Sequence, residues 1–227
     1  MNFNILIPIR SKSRGLKNKN IINFQKNINL TNFTLNKLLK IKKVKKIFIL
    51  TDSILYKKKI IQHKKIDKSY VRKKNLSSSN SKIQDLVNDF LKKNPKLDNL
   101  ALVQVTSPLL KKNEIIKTFN FIEKKNIQSL MHISEILENP HETICGSKEK
   151  WNFLIKKRIT NRQNYNKNYF FITGSMFYFT KNFFLKYKKI YNDKSYAYKV
   201  DKINFIDIDD AFTFELSKKI INMKTRN

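Results

Sequence analysis

The chain has 227 residues, enough for one domain with a buried core, and its 41% of hydrophobic residues fall in short runs throughout, which excludes a disordered polymer. No apolar run reaches the roughly 18 residues of a membrane span, and Ile5 to Ile9 is too short, with its charges on the wrong side, for a secretory signal. The single cysteine, Cys145, rules out an intrachain disulfide, so a cytoplasmic enzyme is the simplest expectation.

The charge needs a separate argument. Lys and Arg total 48 against 17 Asp and Glu, a net +31 that invites a nucleic-acid reading. A nucleic-acid binder concentrates its charge in a patch or tail. Here lysine is spread through 40–46, 57–65, 72–74, 92–96, 111–125, 156–167 and 181–189. Asn, Ile, Phe and Tyr are abundant, while Gly and Pro are scarce and alanine occurs only at Ala101, Ala197 and Ala211. AT-rich codons impose that bias. We read most of the charge as compositional drift and expect no nucleic-acid partner. Where glycine is so rare, Gly15 and Gly174 each point to a backbone need, either a positive φ or a close approach.

In chain order, residues 3–9 (FNILIPI) read as a buried strand. A helix is predicted over 32–43, capped by Thr31 or Asn32, and KIFIL at 46–50 is a second strand. TDS then caps a helix over 53–63, and SYVR at 69–72 is a short strand. An amphipathic helix spans 82–93, a buried strand 99–105, a helix 111–124 and a strand 128–134. Beyond these, WNFLI, SMFYFT, YAYKV and KINFIDI are strand-like, and the polar stretch 135–168 reads as an extended arm. Alternating strands and helices imply a parallel sheet with helices on both faces. The chain reads as a single domain over 1–227.

Ligands bind beyond the carboxyl ends of such strands. Four chemically marked segments fall there: RSKSRGLKNKN, TDS, QVTSP and DID. In the first, Gly15 exposes backbone N–H groups, Arg10, Arg14 and Lys19 supply charge, and Ser11 and Ser13 supply hydroxyls, which together suit a triphosphate. It is not a Walker A loop, and a solvated basic loop is the competing reading. Asp207 and Asp209 are two apart, so an extended backbone projects them to one side as a pair suited to Mg²⁺. The same residues, with Asp210, would also favour a helix N-terminus near 211. Gln104, Thr106 and Ser107 put amide and hydroxyl groups where a base or sugar could be read. Arg162 and Gln163 are a weaker signal. His132, His141 and Cys145 are too few and too irregularly spaced for zinc.

Taken in order, these segments resemble the acylneuraminate cytidylyltransferases. IPIRSKSRGLKNKN is similar to their IPARxGSKGLPxKN, with Arg10, Ser13, Gly15, Leu16, Lys19 and Asn20 matching and Arg14 in place of Lys. ILTDS resembles VSTDS, LVQVTSPL resembles LLQPTSPL, Arg162–Gln163 with Gly174 resembles RQ…NGAIYI, and IDID at 206–209 resembles a late IDID segment. The resemblance implies a Rossmann-like, mostly parallel sheet of the nucleotide-diphospho-sugar transferase type with a small extended arm. It implies transfer of CMP from CTP to an acidic nine-carbon, 2-keto-3-deoxy sugar of the sialic, pseudaminic or legionaminic kind, releasing pyrophosphate for surface glycan synthesis.

The implied roles can be stated residue by residue. Arg10 and Lys19 would act on the triphosphate, with Ser13, Gly15, Asn20 and Gln104 also at the nucleotide. Gln104, Ser107, Arg162 and Gln163 would face the sugar, and Asp207 and Asp209 would hold Mg²⁺. The implied assembly is a homodimer through the 135–168 arm, with Arg162 reaching the partner's site. The chain departs from the pattern at Lys17 for Pro, Leu110 for Arg, Lys73 and Ser79 for Pro and Asp, and Ile172–Thr173 where Asn precedes the glycine. The phosphate and metal end matches, and the sugar and base end is altered.

Overall fold

Alternate side chains of strand β1 (Phe3–Pro8) enter opposite cores, with Phe3, Ile5 and Ile7 on one face and Leu6 on the other. A strand with no polar face must be covered on both sides, and the rest of the fold supplies the cover. The computed structural model describes residues 1–12, 15–136, 138–147, 149–157, 159, 161, 163 and 168–224.

The elements follow in chain order. A small hairpin, β2 (Asn23–Gln25) and β3 (Ile28–Asn29), runs into helix α1 (Leu30–Leu39). Strand β4 (Val44–Leu50), helix α2 (Ile54–Lys59), strand β5 (Ile66–Asp67), helix α3 (Ile83–Lys93) and strand β6 (Leu100–Val103) come next. Helix α4 (Lys112–Lys125) and strand β7 (Ser129–Glu135) precede a hairpin of β8 (Ile144–Ser147) and β9 (Lys150–Phe153). Strand β10 (Phe170–Phe179), helix α5 (Lys181–Tyr187), strand β11 (Tyr196–Lys199) and helix α6 (Ala211–Lys224) complete the chain.

The central sheet has seven strands in the order β11-β7-β10-β6-β1-β4-β5. The pairs β1–β4, β1–β6, β4–β5 and β7–β11 are parallel, and only β10 runs antiparallel to its neighbours. On one face α1 and α4 contribute Leu35, Leu38, Ile115, Phe119 and Ile122. On the other, α3 and α5 contribute Leu86, Val87, Phe90, Leu91, Phe183 and Phe184. A third cluster of Phe24, Leu30, Ile208 and Phe214 joins the small hairpin to the late chain.

Several predicted elements are displaced. The first helix begins at Leu30 and is capped by Asn29, whose side chain accepts the Asn32 N–H at 2.8 Å, while Asn32 itself bonds the Lys59 carbonyl. SYVR is not a strand: the ladder there is Ile66–Asp67, with a single bridge between Thr51 and Val71. WNFLI pairs only within the β8–β9 hairpin, outside the central sheet. KINFIDI is a 3₁₀ turn at Lys202–Phe205 followed by an extended segment outside the sheet. Asp201 starts that turn by accepting the Ile203 N–H, which diverts the backbone from a ladder.

Phe3 and Phe119 stack with ring centroids 3.9 Å apart, both fully buried. Phe119→Ala is expected to lower the unfolding free energy by about 3–5 kcal/mol. Urea denaturation checks this, and a loss under about 1 kcal/mol would mean the site collapses to fill the void.

Candidate functional site

Between β1 and β6 the strand order reverses direction, the place where sheets of this kind open a crevice at their carboxyl ends. A cleft of about 480 Å³ lies there. Pro8 ends β1 at its edge, and Gln104, Val105 and Thr106 leave β6 to form its floor. Three cations (Arg10, Lys19 and Arg72) and two carboxylates (Asp207 and Asp209) line it.

The glycine loop docks on the late chain. Leu16 donates its N–H to the Asp209 carbonyl at 3.1 Å. A Cβ on Gly15 would stand 1.9 Å from that same oxygen, so only glycine fits. Close approach, rather than a positive φ, is the requirement at this position. Lys19 then reaches Ile208 O at 2.7 Å and Asp209 Oδ1 at 2.9 Å. Asn20 is buried and donates to Arg10 O at 3.0 Å, and Thr31 donates to Asn20 O at 2.7 Å, so the loop's second half is fixed from beneath.

The first half of the loop is held by the start of α2. Asp52 accepts the Ser11 N–H at 2.8 Å and the Ser11 hydroxyl at 2.7 Å. The Tyr56 hydroxyl lies 3.2 Å from both Ser11 O and Asn18 Oδ1. The TDS segment is therefore a clamp on the loop, with Ser53 capping α2 through the Tyr56 N–H.

The carboxylates face the cleft for a packing reason. Ile208 is fully buried in the third cluster, and Ile208 N donates to Thr106 O at 2.8 Å. Its two neighbours point the other way, so the alternation argument holds although the segment is not a strand. Asp207 is part-buried and accepts the Ser107 hydroxyl at 3.1 Å. Burial is the first cause that pushes its pKa up, and the Asp209 charge adds to it, against hydrogen bonds from Thr106 and Ser107 and the Lys19 charge. Asp210 takes the helix-start role: its carboxylate accepts the Thr213 N–H at 2.8 Å as α6 begins.

Of the residues marked in the sequence, Arg10, Gly15, Lys19, Asn20, Gln104, Asp207 and Asp209 converge on one cleft. Ser107 is buried behind Asp207 and does not line it. Gln163 is exposed and also absent from the lining. Ser13, Arg14 and Arg162 lie outside the described residues. Among the described residues no group of three or more His, Cys, Asp and Glu could hold a metal, so His132, His141 and Cys145 form no zinc site.

Two residues were missed. Arg72 is buried at the cleft edge, donating through Nε to Leu76 O at 2.8 Å, with its pKa lowered chiefly by burial. An arginine closing the SYVR segment was the available signal. Lys37 donates to Pro108 O at 2.8 Å and Leu110 O at 2.9 Å, holding the turn after Ser107. Burial pushes its pKa down to about 7, against the Glu114 charge.

A raised aspartate pKa has a stability consequence. The native state holds that proton more tightly than the unfolded chain, so stability falls as pH rises from the ordinary aspartate value through the folded one. Asp207→Asn removes the effect. The variant is expected to melt higher than the parent well above the aspartate range, with the gap closing in acid. Melting curves across pH check this, and a variant that melts lower at high pH would refute it.

Residues 4–222 match the family described as Cytidylyltransferase. The chain is 27% identical to an N-acylneuraminate cytidylyltransferase of Streptococcus agalactiae serotype V, over 92% of this chain and 51% of that protein. It is likewise 27% identical to an N-acylneuraminate cytidylyltransferase of Escherichia coli, over 97% of this chain and 52% of that protein. The chain thus spans about half the length of the curated relatives it matches. Its fold is similar to that of CMP:2-keto-3-deoxy-manno-octonic acid synthetase complexed with CTP (TM-score 0.71, 11% identity, 99% of this chain and 100% of that one). It is also similar to the 2-C-methyl-D-erythritol 4-phosphate cytidylyltransferase of Francisella tularensis (TM-score 0.65, 13% identity, 96% and 99%). With the opening loop, the end of β6 and the paired aspartates on one cleft and the match running nearly end to end, the chain belongs to the cytidylyltransferase family.

Proposed function

We propose that this chain transfers CMP from CTP to the anomeric hydroxyl of a sialic-acid-like 2-keto-3-deoxy sugar acid, releasing pyrophosphate. The observation that carries the reading is the charge layout of the cleft. Arg10, Lys19 and Arg72 line the same cleft as the Asp207–Asp209 pair, and Lys19 touches Asp209 at 2.9 Å. A triphosphate needs the cations, and a divalent ion shared with it needs the carboxylates.

Asp207 and Asp209 fit Mg²⁺. Burial first, and the Asp209 charge after it, disfavours an ionised Asp207, and Mg²⁺ binds through one or two carboxylates together with substrate phosphates. When bound, the ion would spread the negative charge of the phosphates. The chain's own residues do the rest. Lys19 exchanges its contact with Asp209 for a phosphate oxygen, and Arg10 and Arg72 neutralise the leaving pyrophosphate. Gln104 and Thr106 orient the nucleoside or sugar on the floor. Catalysis is then mostly positioning and charge neutralisation. The names of the two curated relatives support an N-acylneuraminate-type acceptor, while the altered positions Leu110, Lys73 and Ser79 leave room for a pseudaminic or legionaminic acid.

We also infer a homodimer through the arm. A lone two-stranded hairpin is marginal in water, and β8–β9 forms a sheet of its own with Ile144, Trp151 and Leu154 each about half exposed. A second copy would cover these side chains. Replacing Trp151 and Leu154 together with Ser is expected to shift the sedimentation coefficient from dimer to monomer, and a parent chain already monomeric at micromolar concentration would refute the arm's role.

Pyrophosphate release tests the reaction, using Mg²⁺, CTP and a panel of sialic, pseudaminic and legionaminic acids, with ATP, GTP and UTP as controls. Release that requires both CTP and one acid is expected, and Asp209→Asn should lower kcat/KM by at least about 10²-fold. Release with another nucleotide would reassign the donor, and an unchanged rate in the variant would sink the metal assignment.

A further inference from the structure

Strand β10 carries a bulge directly behind the cleft floor. Its register against β7 runs Ile172↔Ile133 and then Phe177↔Met131, an advance of five residues on β10 against two on β7. Gly174 sits in the surplus with φ +71°, and a Cβ there would come within 3.8 Å of the Gln104 amide nitrogen. Ser175 presents its carbonyl to Gln104 N at 3.1 Å. Bulges commonly re-aim a side chain near a site, and this one faces Gln104.

His132 fills the space opposite the bulge. It is fully buried, with Nδ1 3.1 Å from Ser175 Oγ and Nε2 2.9 Å from Thr118 Oγ1. The directions of these bonds can be worked out. Thr118 donates its only hydroxyl proton to Glu114 O at 2.8 Å, so it must accept from His132 Nε2–H. Burial pushes the His132 pKa down to about 3, so the ring is neutral and Nδ1 is an acceptor. Ser175 therefore donates to Nδ1, and Thr173 Oγ1, 2.8 Å from Ser175 Oγ and 3.4 Å from His132 O, gives its one proton to one of these two. The ordered chain Ser175, His132, Thr118 and Glu114 O has one proton per link. In a sequence with 3 histidines and 3 glycines, both scarce residue types are used at this one place.

We propose that His132 is a positioning residue for the cleft: by accepting the Ser175 hydroxyl it holds the β10 bulge, and the bulge sets where Gln104 stands on the floor. The inference rests on the reading of Gln104 as a ligand contact under the proposed function. An apolar side chain of similar volume would satisfy the packing, but it would remove the ring acceptor, so the Ser175 hydroxyl would turn to Thr173 Oγ1, 2.8 Å away, and the side-chain tie from the bulge to β7 and α4 would be lost.

The test is a double-mutant cycle on the full chain, combining His132→Phe with Gln104→Ala, and His132→Asn as the conservative variant whose side-chain oxygen can take the place of Nδ1. Each is read in kcat/KM for pyrophosphate release with CTP and the preferred sugar acid. Each is also read in the Kd for CTP by calorimetry, so a chain that binds without turnover still tests the coupling. His132→Phe is expected to lose about tenfold or more, since small misplacements at a site have large effects. His132→Asn should recover most of that, and His132→Phe should change the Gln104→Ala background by less than about twofold. Should His132→Phe prove insoluble, Ser175→Ala removes the same bond with less change in volume and is expected to behave alike. Losses from His132→Phe and Gln104→Ala that multiply independently, with no recovery in His132→Asn, would overturn the inference alone. A Gln104→Ala variant equal to the parent in both readouts would overturn the reading of Gln104 as well.

Discussion

One contact closes the cleft: the backbone of Leu16 lies on the carbonyl of Asp209, at a point where Gly15 leaves no room for a side chain. The other features of the site depend on it. It brings the basic loop against the acidic segment, so Lys19 meets Asp209 while Ile208 stays anchored in the third cluster. Asp207 beside it is fixed from behind by Ser107 and from the side by the bond between Ile208 and Thr106. A triphosphate-sized anion and a divalent cation need opposite charges held close. The docked backbone holds them close, and Lys19 and Asp209 do pair, at 2.9 Å.

The unusual charge of the chain is handled by the same economy of partners. With 48 basic and 17 acidic residues, most lysines cannot find a carboxylate. Several turn to carbonyl oxygens. Lys37 holds Pro108 and Leu110, and Lys68 holds Ile60 O at 2.7 Å. The few acids serve more than one neighbour. Asp89 accepts from Tyr70 and pairs with Lys73 and Lys93, and its pKa falls to about 2 because these bonds outweigh its burial. The excess lysine thus serves in part as backbone support around the sheet.

The sheet was legible wherever an apolar run had no competitor. FNILIPI, KIFIL and LALV sit in adjacent strands, and the amphipathic pattern over 82–93 became α3 almost to the residue. Legibility failed where side chains compete with the ladder. KINFIDI has strand-like alternation, but Asp201 and Asn204 bond to nearby backbone and to Glu114, and the segment's apolar residues pack as coil. The site's ligand-facing half was readable from its chemistry: a glycine loop, paired aspartates and a polar strand end. Its supporting half was not. Asp52, Tyr56, Lys37 and His132 act across 41, 45, 71 and 43 residues of sequence, and no local pattern encodes such partners. Ser107 shows the confusion this creates, since a hydroxyl beside a cleft and one beneath a carboxylate look the same in a sequence.

The docking of the loop on the late chain has a consequence for synthesis. Lys19 and Asp209 are 190 residues apart. At the usual pace of translation, roughly 10–40 s separate the appearance of the two. Through that interval β1, β4 and β6 can already pair with one another, since all three are made early, while β6 waits for β10. Lys19 is thus made long before Asp209, the carboxylate it meets in the finished chain.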